Sequence, residues 1–228
     1  MLIVANWKLH FNLQEVREWL SEFAENISEV DDSVEIVICP SFPLIPELKR
    51  IVSEQVLPVK LGAQDISIFE EGQYTGEVSG KQLRDWVNYV IVGHSERRSY
   101  FNETDQDVLK KILLTQKYQL RPIACISSLD QAEVLEGELL DKENLVIVYE
   151  PLFAIGTGQS DSPSSAAEQA QRIRSTFGKD ARVLYGGSVD LANVTDFLRE
   201  SIDGVLVGTA SLDPAEFAGI VKKVSAKG

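Results

Sequence analysis

One lysine, one histidine and one glutamate each stand just past a short β-branched run. Lys8 closes Asn6-Trp7-Lys8, His94 sits between Val92-Gly93 and Ser95-Glu96-Arg97-Arg98, and Glu150 lies between Tyr149 and Pro151. A carboxylate that ends a strand is partly desolvated and can act as a general base. His94 precedes a helix start, and a helix N-terminus disfavours the imidazolium, so the ring is read as neutral and able to donate to a carbonyl oxygen. Lys8 supplies a cation for a developing oxyanion. Two glycine turns complete the set, Gly186-Gly187-Ser188 and Gly208-Thr209-Ala210-Ser211, whose backbone amides suit a phosphate. Each has an ordinary reading when taken alone: a loop-capping Glu, a satisfied core His, an exposed Lys, plain turns. In company they point to a small phosphorylated carbonyl compound.

These residues need a frame that brings distant strand ends to one face. Eight short apolar runs recur, at 2–5, 34–38, 59–62, 89–92, 122–125, 145–149, 182–185 and 204–207. They are continuous rather than alternating in polarity, as in parallel strands buried on both faces. Helical patterns lie between them. Leu13, Val16, Leu20, Phe23 and Ile27 form one stripe with Trp19 at its flank, and Asn12 with Glu15 makes a capping box. Further starts are Ser79 before 81–86, Thr104 with Asp107 before 108–114, Ser164 before 166–177, and Asp213-Pro214 before 217–224. No G-x-G-x-x-G follows the first run, which disfavours a doubly wound sheet and leaves an α/β fold, a closed (β/α)8 barrel in a single domain over 1–228. Active sites of such barrels lie past the C-terminal strand ends, where Lys8, His94, Glu150 and the two glycine turns fall. The long turn 151–163 has an apolar first half and a Gly156-Thr157-Gly158 tip, suited to folding over a ligand and excluding water.

Composition narrows the partners. Asp and Glu number 35 against 22 Lys and Arg, a net charge of -13 that repels nucleic acid. Two cysteines, Cys39 and Cys125, and two histidines, His10 and His94, make a disulfide framework or a metal site improbable and fit a reducing compartment. The apolar start lacks a basic leader, and no apolar run reaches the roughly 18 residues of a membrane span, so a cytoplasmic protein without membrane contact is expected.

Six motifs stand in an order that resembles the triosephosphate isomerase family: Asn6-Trp7-Lys8, Gly93-His94-Ser95-Glu96-Arg97-Arg98, Tyr149-Glu150-Pro151, Ala154-Ile155-Gly156-Thr157-Gly158, Tyr185-Gly186-Gly187-Ser188-Val189 and Val207-Gly208. Ala63-Gln64-Asp65 with Tyr74-Thr75-Gly76-Glu77, and Phe101-Asn102-Glu103-Thr104-Asp105, are also similar to that family, so the likeness spans nearly the whole chain. It implies a TIM barrel that interconverts dihydroxyacetone phosphate and D-glyceraldehyde 3-phosphate through an enediolate. On that likeness Glu150 is the base, His94 polarises the carbonyl, Lys8 and Asn6 stabilise the enediolate, and Glu96 supports Lys8. Gly156, Ser188, Gly208 and Thr209, with the Gly186-Gly187 turn, hold the phosphate. No metal or cofactor is implied. The expected assembly is a homodimer, with Thr75 entering the neighbouring subunit, and a tetramer is the alternative. A non-catalytic phosphate-binding barrel, acting as sensor or scaffold, is the rival reading; it predicts loss of Glu150, His94 or Lys8, all of which are present.

The chain departs from the family pattern in places. Phe153 stands where the family has Trp, and Ser127-Ser128 where it has Gly-Glu; the joint loss of two loop partners suggests a coupled exchange. Asp161 replaces a small residue at the far hinge of the loop, and Thr209 replaces a Gly in the phosphate grip, a strained exchange if that Gly has positive φ. Between the fifth and sixth runs, Gly137 and Asp141-Lys142 leave room only for a shortened helical segment.

Overall fold

The structure is a computed structural model that describes residues 1–27, 33–139, 142, 144–151, 153, 160–198 and 201–226. Eight parallel strands close into one barrel: β1 Leu2–Asn6, β2 Glu35–Cys39, β3 Val59–Ala63, β4 Tyr89–Val92, β5 Arg121–Ile126, β6 Val146–Tyr149, β7 Arg182–Tyr185 and β8 Gly204–Val207. The ring is completed where β8 pairs with β1, Leu2 opposite Gly204. Outside it lie α1 Leu13–Asn26, α2 Ile45–Glu54, α3 Gly80–Leu83, α4 Ser95–Phe101, α5 Asp105–Lys117, α6 Leu129–Glu138, α7 Pro163–Phe177, α8 Val194–Phe197 and α9 Pro214–Ser225. No helix among the described residues is long and apolar enough to cross a membrane.

Strand periodicity sorts the side chains into two cores. Leu2 and Val4, Tyr89 and Ile91, Ile123 and Cys125, Val146 and Val148, Leu184 and Leu206 fill the barrel, while their neighbours Ile3, Ala5, Val90, Val92, Ile147 and Val205 pack outward under the helices. Burial of each such side chain contributes roughly 1.5–3 kcal/mol. On β3 the inward position is Gly62, where a Cβ would stand 2.5 Å from Cys39 Sγ and 3.4 Å from Tyr89 Cβ, so the small residue makes room for the large one. The same alternation carries the next inward positions to the strand end at Asn6 after Val4, and past it at Glu150 after Val148, Gly186 after Leu184 and Gly208 after Leu206.

The expected caps form at Asn12 with Glu15, Ser79 with Gln82, and Thr104 with Asp107, each a capping box, and Asp213 caps α9. Four expectations are corrected. Leu13 is exposed rather than part of the stripe, because it lies in the first turn of α1, whose neighbours Leu9, His10 and Asn12 are themselves exposed. Trp19 is buried instead of flanking, stacked on Phe23 at 4.8 Å and edge-on to Trp7 at 4.8 Å. α3 stops at Leu83, leaving Trp86 outside it and half exposed, since the chain turns to bring Val87 into the core before β4. α7 begins two residues earlier than expected, on a Ser162 cap with Pro163 at its first position. α6 has 10 residues against 13 in α5 and 15 in α7, the shortened segment expected between β5 and β6. The four-residue α3 and α8 are shorter still.

Candidate active site

Lys8 leaves β1 with φ 51, a left-handed conformation that costs a non-glycine residue about 1–2 kcal/mol. It is held on both sides. Its amide donates to Asn6 Oδ1 at 3.2 Å, and its carbonyl accepts from Gln64 Nε2 at 2.8 Å and Ser41 Oγ at 3.1 Å. So held, the backbone brings the Lys8 ammonium beside Gly208, where an added Cβ would lie 3.9 Å from Nζ. The ammonium also pairs with Glu96 Oε1 at 2.7 Å, which fixes its position across the mouth between β1 and α4.

His94 is the N-cap residue of α4. Its Nδ1 accepts the Glu96 amide at 3.2 Å, so in the neutral ring the N–H falls on Nε2. Nε2 lies 3.2 Å from Glu150 Oε1.

Glu150 is 1% exposed. Its Oε2 accepts the Ser95 amide, the first residue of α4, at 3.1 Å. Oε1 meets the hydrogen-bond criteria with no group among the described residues. A buried carboxylate oxygen without a donor is costly, of order 1–3 kcal/mol. Behind it Cys125 is buried and forms no disulfide; burial first, then the Glu150 charge and a hydrogen bond to that carboxylate, push its thiol well above the ordinary range, so it stays a neutral S–H.

The glycine turns leave the space these groups need. At Gly186 a Cβ would stand 2.5 Å from Val148 Cγ1 and 2.9 Å from Glu150 Cγ. At Gly187 it would stand 2.1 Å from the Tyr185 hydroxyl, which accepts the Asp161 amide at 2.9 Å. Thr209 opens a short 3₁₀ turn, Thr209–Ser211, with φ outside the left-handed region, so the strain considered for this position does not arise. Its side chain is exposed.

Lys8, His94 and Glu150 line one cavity of about 450 Å³. Gly186, Gly187 and Ser188 form its wall after β7, and Gly208 and Thr209 its wall after β8. Asn6 and Glu96 do not reach the wall; they stand behind Lys8, one on its amide and one on its ammonium. Gly156 and the tip 154–158 lie outside the described residues, whereas Phe153 is described and exposed. Ser128, expected to answer Phe153 across the loop, caps α6 by accepting from Gln131 N at 3.4 Å. A larger hollow of about 1000 Å³ lies at the opposite, N-terminal end of the barrel, beside Tyr89, Arg121 and Arg182. Size does not make it the site, since both arginines there face Glu35, at 3.9 and 3.0 Å.

Sequence reasoning missed the groups that hold the site from behind. Gln64 and Ser41 fix the Lys8 carbonyl, and Glu103 accepts the Gly93 amide at 3.0 Å while also meeting Lys111 at 2.6 Å and Arg97 at 2.8 Å. Burial pushes the Glu103 carboxyl up, but Lys111 and Arg97 outweigh it and hold it below its ordinary value. A lysine on the buried face of α5, between Val108 and Ile112, was the available signal for such a buried pair.

The family model described as triosephosphate isomerase matches residues 1–224. The chain is similar to triosephosphate isomerase of Mesomycoplasma hyopneumoniae (strain 7448), 36% identical over 240 residues, covering 96% of this chain and 98% of that protein. It is 40% identical to triosephosphate isomerase of Gloeothece citriformis over 237 residues, covering 97% and 98% of the two chains. Against triosephosphate isomerase of Dictyoglomus thermophilum it is 40% identical over 247 residues, again covering 97% and 98%. With a family match over nearly all of its length and relatives of this closeness, the chain belongs to the triosephosphate isomerase family.

Proposed function

We propose that this protein interconverts dihydroxyacetone phosphate and D-glyceraldehyde 3-phosphate by proton transfer through an enediolate. The observation that carries the reading is the buried Glu150 carboxylate, its Oε1 3.2 Å from His94 Nε2 in the same cavity as Lys8. Glu150 removes a proton from the carbon beside the carbonyl and returns it to the neighbouring carbon. The Nε2 proton polarises the carbonyl oxygen, and the Lys8 ammonium stabilises the negative charge that develops there. Asn6 acts by holding the strained Lys8 backbone, and Glu96 by holding its ammonium. Amides of Gly187, Ser188, Gly208 and Thr209 hold the phosphate, with Gly186 giving Glu150 its room and Gly156 closing from the loop. A non-catalytic phosphate binder would have no use for a buried carboxylate at this point.

A coupled assay with glyceraldehyde 3-phosphate tests the reading. Glu150→Gln should lower turnover by about 10³-fold or more while binding of inorganic phosphate stays within about threefold, because the proton acceptor goes and the phosphate contacts remain. Retention of more than about a tenth of the activity would sink the assignment of the base.

We infer also that the enzyme works as a cytoplasmic homodimer. Residues 69–77 form an exposed loop in which Phe69 and Tyr74 stack at 3.6 Å, and Leu9, Tyr100 and Phe101 are exposed large apolar side chains. Apolar side chains on an exposed face favour self-association. Thr75 is the residue expected to enter the partner, and the buried free thiols of Cys39 and Cys125 suit a reducing compartment. Sedimentation at micromolar concentration should find dimers; a fully active monomer would overturn this, and a tetramer would point to a second contact at the short α6.

A further inference from the structure

Gly93 lies between β4 and His94 with φ 69, a conformation open to glycine and closed to other residues here, since a Cβ would meet both Val108 methyl carbons at 2.9 Å. The residue that positions the electrophile is therefore reached through a peptide unit with unusual backbone freedom. That freedom is removed from one side by Glu103, which accepts the Gly93 amide, and from the other by Arg98 Nε, which donates to the Gly93 carbonyl at 2.7 Å. The Gly93 carbonyl belongs to the same peptide as the His94 amide, so fixing it fixes the entry to the His94 ring.

Arg98 does more than cap a carbonyl. Its Nη1 meets Asp105 Oδ1 at 2.5 Å at the start of α5, and its Nη2 lies 3.4 Å from the carbonyl of Cys125 at the end of β5. One planar fork thus joins the ends of β4 and β5 to the α5 N-terminus, with the His94 peptide on one prong. Only a guanidinium carries donors in that arrangement; an ammonium is a single point and reaches one partner well. The side chain is 13% exposed, so water is a poor substitute for the fork.

We propose that Arg98 is a positioning residue for the reaction: by clamping the Gly93–His94 peptide against β5 it aims His94 Nε2 at the substrate carbonyl. This rests on the isomerisation proposed above. A misplacement of the electrophile by about 1 Å can cost up to about 100-fold in rate without weakening substrate binding. A role confined to stability would instead follow the Asp105 ion pair.

Two kinds of substitution separate these. Arg98→Lys keeps the charge near Asp105 and loses the fork; Asp105→Asn keeps the fork on Gly93 and loses the ion pair. Arg98→Lys should lower kcat about tenfold or more with KM within about threefold, and Asp105→Asn should leave kcat within about twofold while lowering the melting temperature. The imidazole resonances give a readout independent of turnover. His10 is the sole other histidine, so a His10→Gln spectrum assigns His94. Arg98→Lys should shift or broaden the His94 ring signals, and Asp105→Asn should not. Arg98→Gln, read by the same criteria, serves if the lysine variant does not fold. Wild-type kcat and unmoved His94 signals in an Arg98 variant would overturn the proposal, as would equal loss of kcat in the Arg98 and Asp105 variants. Absence of turnover in the wild type would strike the isomerase reading instead, leaving the ring signals to judge the clamp.

Discussion

Gly186 leaves the space that the Glu150 side chain occupies: a Cβ there would stand 2.9 Å from Glu150 Cγ. The two residues end adjacent strands, β6 and β7, and both continue the inward-facing alternation of their strands. Neither can change size alone, because Val148 Cγ1 would be only 2.5 Å from the same Cβ and sits in the packed barrel interior.

Gly186→Ala should therefore act on catalysis through displacement of Glu150. We expect kcat to fall by about 10- to 100-fold with a small change in KM, measured in the coupled assay. An alanine variant with wild-type kcat would show that Glu150 has another place to go.

At the other end of the barrel, Glu35 meets Lys60 at 2.6 Å, the Tyr89 hydroxyl at 2.7 Å and Arg182 at 3.0 Å. Burial pushes the Glu35 carboxyl up, but those hydrogen bonds outweigh it and bring it from 4.5 down to about 2. A carboxyl depressed on folding contributes stability that is complete above its unfolded value and is lost as pH falls from about 4.5 toward 2. Glu35→Gln should flatten that acid slope by about 1 kcal/mol after solvent screening, and should be less stable than wild type above pH 5. Urea melts between about pH 2 and 6 would check it; parallel curves would place the acid sensitivity elsewhere.

Asp161 Oδ2 is buried and has no hydrogen bond among the described residues, while Oδ1 accepts the exposed Ser162 amide at 2.7 Å. Asp161→Ala should raise stability by about 1 kcal/mol, since an unpaired buried acceptor is removed and the Ser162 amide can turn to water. For a chain of this size that is roughly 2–4 °C in melting temperature. Tyr185, pushed up to about 12 by burial and also by the Asp161 charge, should titrate earlier in the variant. A lower melting temperature would mean that the carboxylate has a partner in solution.

Ser128 has a local task as the cap of α6, so Ser128→Ala should cost about 0.5–1 kcal/mol in stability with kcat unchanged. A double-mutant cycle adds the loop. If Phe153 and Ser128 are a coupled exchange, Phe153→Trp and Ser128→Glu should each gain nothing alone and together show a coupling of about 0.5–3 kcal/mol on kcat. Strict additivity would leave Ser128 with capping alone.

What was legible in the chain is what short-range physics writes there. Asn12 with Glu15 and Thr104 with Asp107 announce helix starts because the cap and its partner lie three residues apart and satisfy each other's amides. Continuous apolar runs announce doubly covered parallel strands, and a two-residue alternation points Glu150 inward once Val146 and Val148 do so. Tertiary structure decided the rest. Leu13 fits the stripe by spacing and is exposed, because burial depends on what packs above it, while Trp19 was drawn inward by Trp7 and Phe23. The supports of the site, Gln64 and Ser41 on Lys8, and Arg98 and Glu103 on Gly93, are fixed by distances between atoms. Lys111 meets Asp65 across 46 positions of sequence, and only closure of the barrel brings such residues within a hydrogen bond. The types and order of the candidate groups are thus local information, whereas which oxygen of Glu150 takes the Ser95 amide and which faces His94 is a property of the assembled barrel mouth.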